Sequence, residues 1–247
     1  MQIRQDTAPG PAATPVRCRA LAKLTVSLRL VGTRADGFHL IDSEMVTVDL
    51  ADELEFSDGD GLEVLAADTV PAGDDNLVRR ALRAVGRTAH VRLTKRIPSG
   101  AGLGGGSADA AAVLRWAGTG DLALAASLGA DVPFCLIGGR ARVTGIGEVV
   151  EPLRIEPRSF TLLMPPLHVP TPAVYRMWDT LGGPVADGPN DLEPAALAVE
   201  PRLAEWRDRL GNQTGRTPAL AGSGSTWFVE GTFEGPGLVP VRTATPT

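Results

Sequence analysis

Cysteine is scarce in this chain: two residues in 247, Cys18 and Cys135, far apart and without a C-x-x-C partner. That usage supports neither a disulfide framework nor a zinc site, and it fits a reducing compartment. Cys135, inside the apolar "DVPFCLIGG", reads as a buried small hydrophobe. The three histidines, His39, His90 and His168, show no metal-ligand spacing. No apolar run is long enough to span a membrane. The first twenty residues lack an apolar signal core and read as a frayed leader ahead of the first strand, which makes the cytoplasm the default location. Net charge is −5 and no Lys/Arg block stands out, so a nucleic-acid or membrane surface is not expected, although a local basic site for phosphate is compatible. There is no internal repeat.

Apolar/polar alternation from Leu24 to Val31 predicts a strand, "GTRADGF" a turn-rich loop, and "HLIDSEMVTVDLADELEF" a strand pair. "DDNLVRRALRAVGR" predicts a helix with Asp at its start, and "AHVRLTKRI" a strand closed by Pro98. "SADAAAVLRWAG" and "GDLALAASLGA" read as helices ending at glycine, and "DVPFCLIGGRARVTGIGEVVEPL" as a turn followed by two strands. "SFTLLMPP" is a further strand, and the Pro-rich "PPLHVPTP" reads as the junction to a second lobe. Beyond it, "TPAVYRMWDTLG" and "EPRLAEWRDRLG" have helical spacing, and "TPALAGSGSTWFVEG" reads strand, glycine loop, strand. Strands and helices mix without a regular βαβ alternation, so the class is α+β.

Glycine is plentiful, and five glycines fall within the seven residues Gly100–Gly106, directly before the alanine-rich helix. Bare backbone costs conformational entropy, so the cluster signals either a flexible connector or a backbone that approaches a ligand. A Walker loop fails, since no lysine precedes Ser107. Gly100-x-Gly102-x-x-Gly105 matches G-x-G-x-x-G, but the next acidic residue at the required distance, Asp121, lies in a helical stretch rather than at a strand end. The third reading is an anion site. Orphan amides at a helix N-terminus beginning near Ser107 point at phosphate through a loop without Cβ atoms. Ser107 then caps the helix or contacts phosphate or its metal ion, and Asp109 in the first turn suits the helix dipole.

Several stretches stand together in one order: "AKLTVSLRLVGTRADGFHLIDSEMV", "KRIPSGAGLGGGSADAAAVL", "LGADVPFCLIGG", "VTGIGE", "NDLEP" and "LAGSGSTWF". With them the chain resembles the GHMP small-molecule kinases. "RADGFHL" and "GADVPF" point to the branch that phosphorylates a cytidine-diphosphate derivative of methylerythritol in the non-mevalonate isoprenoid route. The resemblance implies a two-lobed α+β fold. Residues 1–155 would form the ATP-binding lobe, of the ribosomal-protein-S5-domain-2-like type, and 156–247 a smaller α/β substrate-binding lobe, with the final strand returning toward the first. It implies ATP with Mg²⁺, a small-molecule substrate, a monomer or homodimer, and transfer to the C2 hydroxyl.

The family's residue roles carry over position by position. Asp131 in "GADVPF" matches the catalytic base, and Lys23 in "AKL" the lysine that pairs with it. A lysine beside a carboxylate favours its ionised form. The bland alternatives are a turn carboxylate and a solvated lysine. ATP would be held by Asn76, Pro98, Gly100, Gly102, Leu103, Gly104, Gly105, Gly106 and Ser107; alone, Asn76 reads as a helix cap. Phe38 and His39 match the aromatic–His pair at the cytosine, and Tyr175 the opposing aromatic, with core packing as the alternative. Thr25 and Asn190 would contact substrate, with Asp191 near it or simply in a loop, and Gly222, Ser223 and Gly224 would turn toward the phosphates. No metal ligands are assigned.

The chain departs from the family's pattern at five places. Thr25 stands where Asn is usual, Phe38 where Tyr is, and Ala108 where a second serine is common. The connection from Leu114 to Leu128 and the tail after "GSGSTWF" are short. Two alternatives stay open: a sibling kinase acting on homoserine or a mevalonate-type alcohol, and a catalytically weak nucleotide-binding relative.

Overall fold

The computed structural model describes residues 14–65 and 70–246, so residues 1–13 of the expected leader lie outside it. The rest of that stretch does not fray. Val16–Ala20 already belong to β1 (Val16–Thr33), which pairs antiparallel with β2 (His39–Ser57) over its whole length. "TRADGF" closes this hairpin as a turn, with Arg34 N–H donating to Phe38 O at 2.7 Å.

β2 corrects the expectation of a strand pair: it runs unbroken for 19 residues. Its acidic second half contains Asp52, an inward side chain, fully buried and ion-paired with Lys95. One edge of β2 holds β1. The other edge holds β5 (Arg140–Gly145) along its first half and β4 (His90–Thr94) along its second. β3 (Gly61–Leu65) adds parallel to β4, and β6 (Val149–Leu153) antiparallel to β5.

Four helices pack on this sheet: α1 (Leu77–Ala84), α2 (Gly105–Trp116), α3 (Leu122–Leu128) and α4 (Val132–Ile137). Met45 of β2 turns toward them and joins Val113, Leu114 and Phe134 in one core. Its neighbours Val46 and Val48 turn the other way, into a second core with Phe160, Leu162 and Phe228. Those last three come from a second antiparallel sheet, ordered β10-β7-β9-β8. Its strands are β7 (Ser159–Leu163), β8 (Ala219–Leu220), β9 (Trp227–Glu230) and β10 (Leu238–Arg242). Helices α5 (Thr171–Thr180), α6 (Glu193–Val199) and α7 (Leu203–Thr214) accompany it.

Since β7 precedes "PPLHVPTP", the crossing between sheets falls at residues 154–158 and not at the Pro-rich stretch. β10 pairs with β7 in the second sheet; the segment after it returns to the first, with Ala244 N–H donating to Thr47 O at 2.9 Å. Two helices are corrections as well. "DVPFCLI" forms α4 where a turn was expected, and "EPAALAV" forms α6 where "NDLEP" read as loop. Each carries proline in its first turn, where no amide donor is lost, and each is too short to show helical periodicity.

The glycine loop joins the two sheets. Ala101 O accepts from Thr226 N–H at 3.1 Å, and Leu103 O from Lys23 N–H at 3.0 Å. A Cβ on Gly102 would lie 2.5 Å from Ala221 O and 2.6 Å from Gly224 O, at a φ of +78°. Gly118 has nearly the same φ, +77°, with nothing within 4 Å of its would-be Cβ. Gly118→Ala should therefore cost only the left-handed penalty of about 1–2 kcal/mol. Gly102→Ala should cost clearly more, above about 3 kcal/mol, because backbone must also move. Urea unfolding midpoints check this; equal losses would show that the loop does not press on the 221–224 turn.

Candidate active site

A cavity of about 780 Å³ opens where the glycine loop, the start of α2, β1, α5 and the 222–223 turn converge. α2 begins at Gly105, two residues before the expected start, and its N-cap is Gly104 in the left-handed conformation. Ser107 is thus not the cap but a first-turn residue on the cavity wall. Ala108 is the first amide to bond within the helix, to Gly104 O at 2.8 Å. The amides of Gly105, Gly106 and Ser107 are left over, and all three residues line the cavity. Helix starts with unpaired amides of this kind attract anions, and this one opens a twelve-residue helix.

Beside it stand Lys23 and Asp131. Irregularities in the β1–β2 register flank Lys23 and Thr25, and bulges of this kind re-aim side chains next to functional sites. The Lys23 ammonium is nearly buried, donates to Thr25 Oγ1 at 3.0 Å and lies 3.4 Å from Asp131 Oδ2. Asp131 occupies the N-cap position of α4 without making a capping hydrogen bond, so its carboxylate stays available to the cavity. Gly104 is bare for a local reason: a Cβ there would sit 2.7 Å from Lys23 Cγ. Loop and lysine are fitted to each other.

At the other end, His39 packs on Tyr175 with centroids 5.1 Å apart and edge-on to Trp178 at 5.4 Å. Its Nε2 is hydrogen-bonded to Asp179 Oδ1 at 2.7 Å, joining the start of β2 to the last turn of α5. Burial, and then the charge of Asp131, push the Tyr175 phenol up to about 12. Phe38 is exposed on the rim, with the Arg34 guanidinium 5.6 Å from its ring centre.

Pro98, Gly100, Leu103, Thr25, Gly222 and Ser223 line the cavity as well. Four expected residues do not. Asn76 caps α1, accepting from Val78 N–H at 2.9 Å. Asn190 lies behind the turn, its amide donating to Leu220 O at 2.8 Å and Gly222 O at 2.7 Å. Gly224 faces Gly102 from the same turn. Asp191 is buried and paired with Arg29 at 2.6 Å. Among the described residues, no three His, Cys, Asp or Glu come close enough to hold a metal ion.

Lys95 is one residue that sequence reasoning missed. It lines the cavity under the start of α2 and is ion-paired with Asp52 of β2 and, at 2.7 Å, with Asp109 of α2. A signal existed: of the 24 Lys and Arg in the chain only Lys23 and Lys95 are lysines, and both reach this cavity. Asp109 is correspondingly not a first-turn dipole partner but a buried carboxylate in the second turn, whose Oδ1 has no hydrogen-bond partner. Burial pulls the Lys95 ammonium down, but its two carboxylates together outweigh that and hold it above its usual value.

Residues 76–139 match the family described as the GHMP kinases N terminal domain. A 4-diphosphocytidyl-2-C-methyl-D-erythritol kinase from Cereibacter sphaeroides is 38% identical over 241 residues, covering 85% of this chain and 87% of that one. Its namesake from Paracoccus denitrificans is 38% identical over 237 residues, covering 85% and 84%. A crystal structure of 4-(cytidine 5'-diphospho)-2C-methyl-D-erythritol kinase superposes with a TM-score of 0.72 at 37% identity, over 86% of this chain and 89% of that one. The homoserine kinase of Cytophaga hutchinsonii, at 17% identity and a TM-score of 0.63 over 98% of each chain, shares the fold.

The buried cluster has a consequence for pH. Burial pushes the Asp109 carboxyl from 3.8 up to about 7, against the pull of Lys95. An acid whose pKa rises on folding holds its proton more tightly in the folded state, so ionisation costs stability as pH climbs from the lower value to the higher. Wild type should lose stability relative to Asp109→Asn between pH 4 and pH 7. Urea unfolding across that window checks it, and parallel curves would contradict it.

Proposed function

Because the chain belongs to the 4-diphosphocytidyl-2-C-methyl-D-erythritol kinases of the GHMP family, we propose that this cavity transfers the γ-phosphoryl group of ATP to the C2 hydroxyl of that substrate. The observation that carries the mechanism is the Lys23–Asp131 pair, 3.4 Å apart, opening on the same space as the three free amides of α2.

Phosphoryl transfer asks for positioning, charge neutralisation and a proton acceptor. The amides of Gly105, Gly106 and Ser107 hold the phosphate oxygens, with the helix dipole behind them. Asp131 accepts the hydroxyl proton as the oxygen attacks. Lys23, locked by Thr25, stabilises the charge that develops on that oxygen. Thr25 thereby does, with a hydroxyl, part of what an asparagine would do at this position. Mg²⁺, carried on the phosphates, would neutralise their charge, and the Ser107 hydroxyl, on the cavity wall, would meet it. His39 and Tyr175 offer a ring face and polar edge for the cytosine, with Phe38 closing over the rim. Residues 1–155 act as the ATP-binding lobe and 156–247 as the lobe that completes the substrate site. Two unpaired thiols suit a cytoplasmic enzyme.

Asp131→Asn keeps the shape and removes the base. It should retain ATP affinity while kcat with the cytidine-diphosphate substrate falls by about two orders of magnitude or more. A near-wild-type kcat would remove Asp131 from the role. Turnover of homoserine or mevalonate, but not of the cytidine-diphosphate substrate, would reassign the site to a sibling activity.

A further inference from the structure

We propose that Arg176 binds the diphosphate of the substrate, as the middle mark of a ruler formed by α5; this rests on the substrate assigned above. Pro172, Tyr175, Arg176 and Asp179 all line the cavity, at the i, i+3, i+4, i+7 spacing of a single helical face. The two ends of that face are already placed. At its start, Thr171 Oγ1 is 2.7 Å from Ser223 Oγ, and the adjoining Gly222 would bring a Cβ within 3.6 Å of Lys23 Nζ. At its end, Asp179 holds His39 at 2.7 Å, beside the Tyr175 ring. Eight residues of helix span about 12 Å, and Arg176 stands about 7.5 Å from the first end and 4.5 Å from the second, at a rise of 1.5 Å per residue. The substrate has the same order: reacting alcohol, diphosphate, base.

Charge selects the same residue. Three Lys or Arg side chains line the cavity. Lys23 is paired with Asp131, and Lys95 with Asp52 and Asp109. Arg176 is exposed and, among the described residues, makes no ion pair. A diphosphate entering this space meets one uncommitted cation, and a guanidinium can grip it with two parallel N–H bonds.

The test measures binding of CDP and of cytidine to wild type, Arg176→Gln and Arg176→Lys, with the ATP site filled by a non-hydrolysable ATP analogue and Mg²⁺. Arg176→Gln should weaken CDP by about 10- to 100-fold and leave cytidine unchanged, and Arg176→Lys should recover part of the loss. An unchanged CDP-to-cytidine ratio in Arg176→Gln overturns the assignment, as does an equal loss for both ligands, which would place Arg176 at the base. Failure of the parent assignment looks different. Wild type then binds neither ligand and does not turn over the cytidine-diphosphate substrate, and the inference falls with it.

Discussion

The site depends on one steric constraint: the glycine loop is clamped between Lys23 and the 221–224 turn with no room for side chains. Gly102 lies against the carbonyls of Ala221 and Gly224, Gly104 against the Lys23 stem, and main-chain hydrogen bonds tie Leu103 to β1 and Ala101 to Thr226, just ahead of β9. Because the loop is held on both sides, α2 starts at a defined place, on the cavity that Lys23 and Asp131 also line. Bare backbone here serves neither flexibility nor ligand approach alone. It lets two sheets from distant parts of the chain share one loop, and the ligand-facing surface follows from that contact.

Beneath the loop lies a second constraint of opposite character. Burying a charge is costly unless it is paired and hydrogen-bonded, and Lys95 meets the condition by bridging β2 to α2. Asp52 accepts from Ile97 N–H at 2.8 Å as well, so the strand, the segment entering the loop and the helix leaving it are bound at one point. Asp109 is left with an unpartnered oxygen, and its carboxyl titrates where an ordinary aspartate would not. Lys23 and Lys95 thus differ in setting: one stands beside Asp131 on the cavity, the other ties the glycine loop to β2 and α2.

Much of this was legible in the sequence, for identifiable reasons. The glycine run, the hairpin turn, the long helices and the 221–226 turn carry strong local chemistry, and the family resemblance singled out Lys23, Asp131, His39 and Tyr175, all four of which line the cavity. What escaped notice depends on partners remote in the chain. β2 read as a strand pair, but it runs on through Asp52, which Lys95 neutralises in the interior. Asp109 looks like a dipole partner until α2 is seen to start at Gly105. Asn190 carries substrate-like chemistry in a loop, but its amide is consumed by two carbonyls of a turn thirty residues away. α4 and α6 are too short to show a period. Arg176 and Asp179 become visible only when α5 is seen to present one face to the cavity.

The most direct measurement is a crystal structure of the chain with a non-hydrolysable ATP analogue, Mg²⁺ and the cytidine-diphosphate alcohol together. The γ-phosphate should lie within hydrogen-bond reach of the Gly105, Gly106 and Ser107 amides, with the C2 hydroxyl between Lys23 Nζ and the Asp131 carboxylate, in line for attack. A triphosphate bound away from the start of α2, or an alcohol out of reach of Asp131, would contradict it.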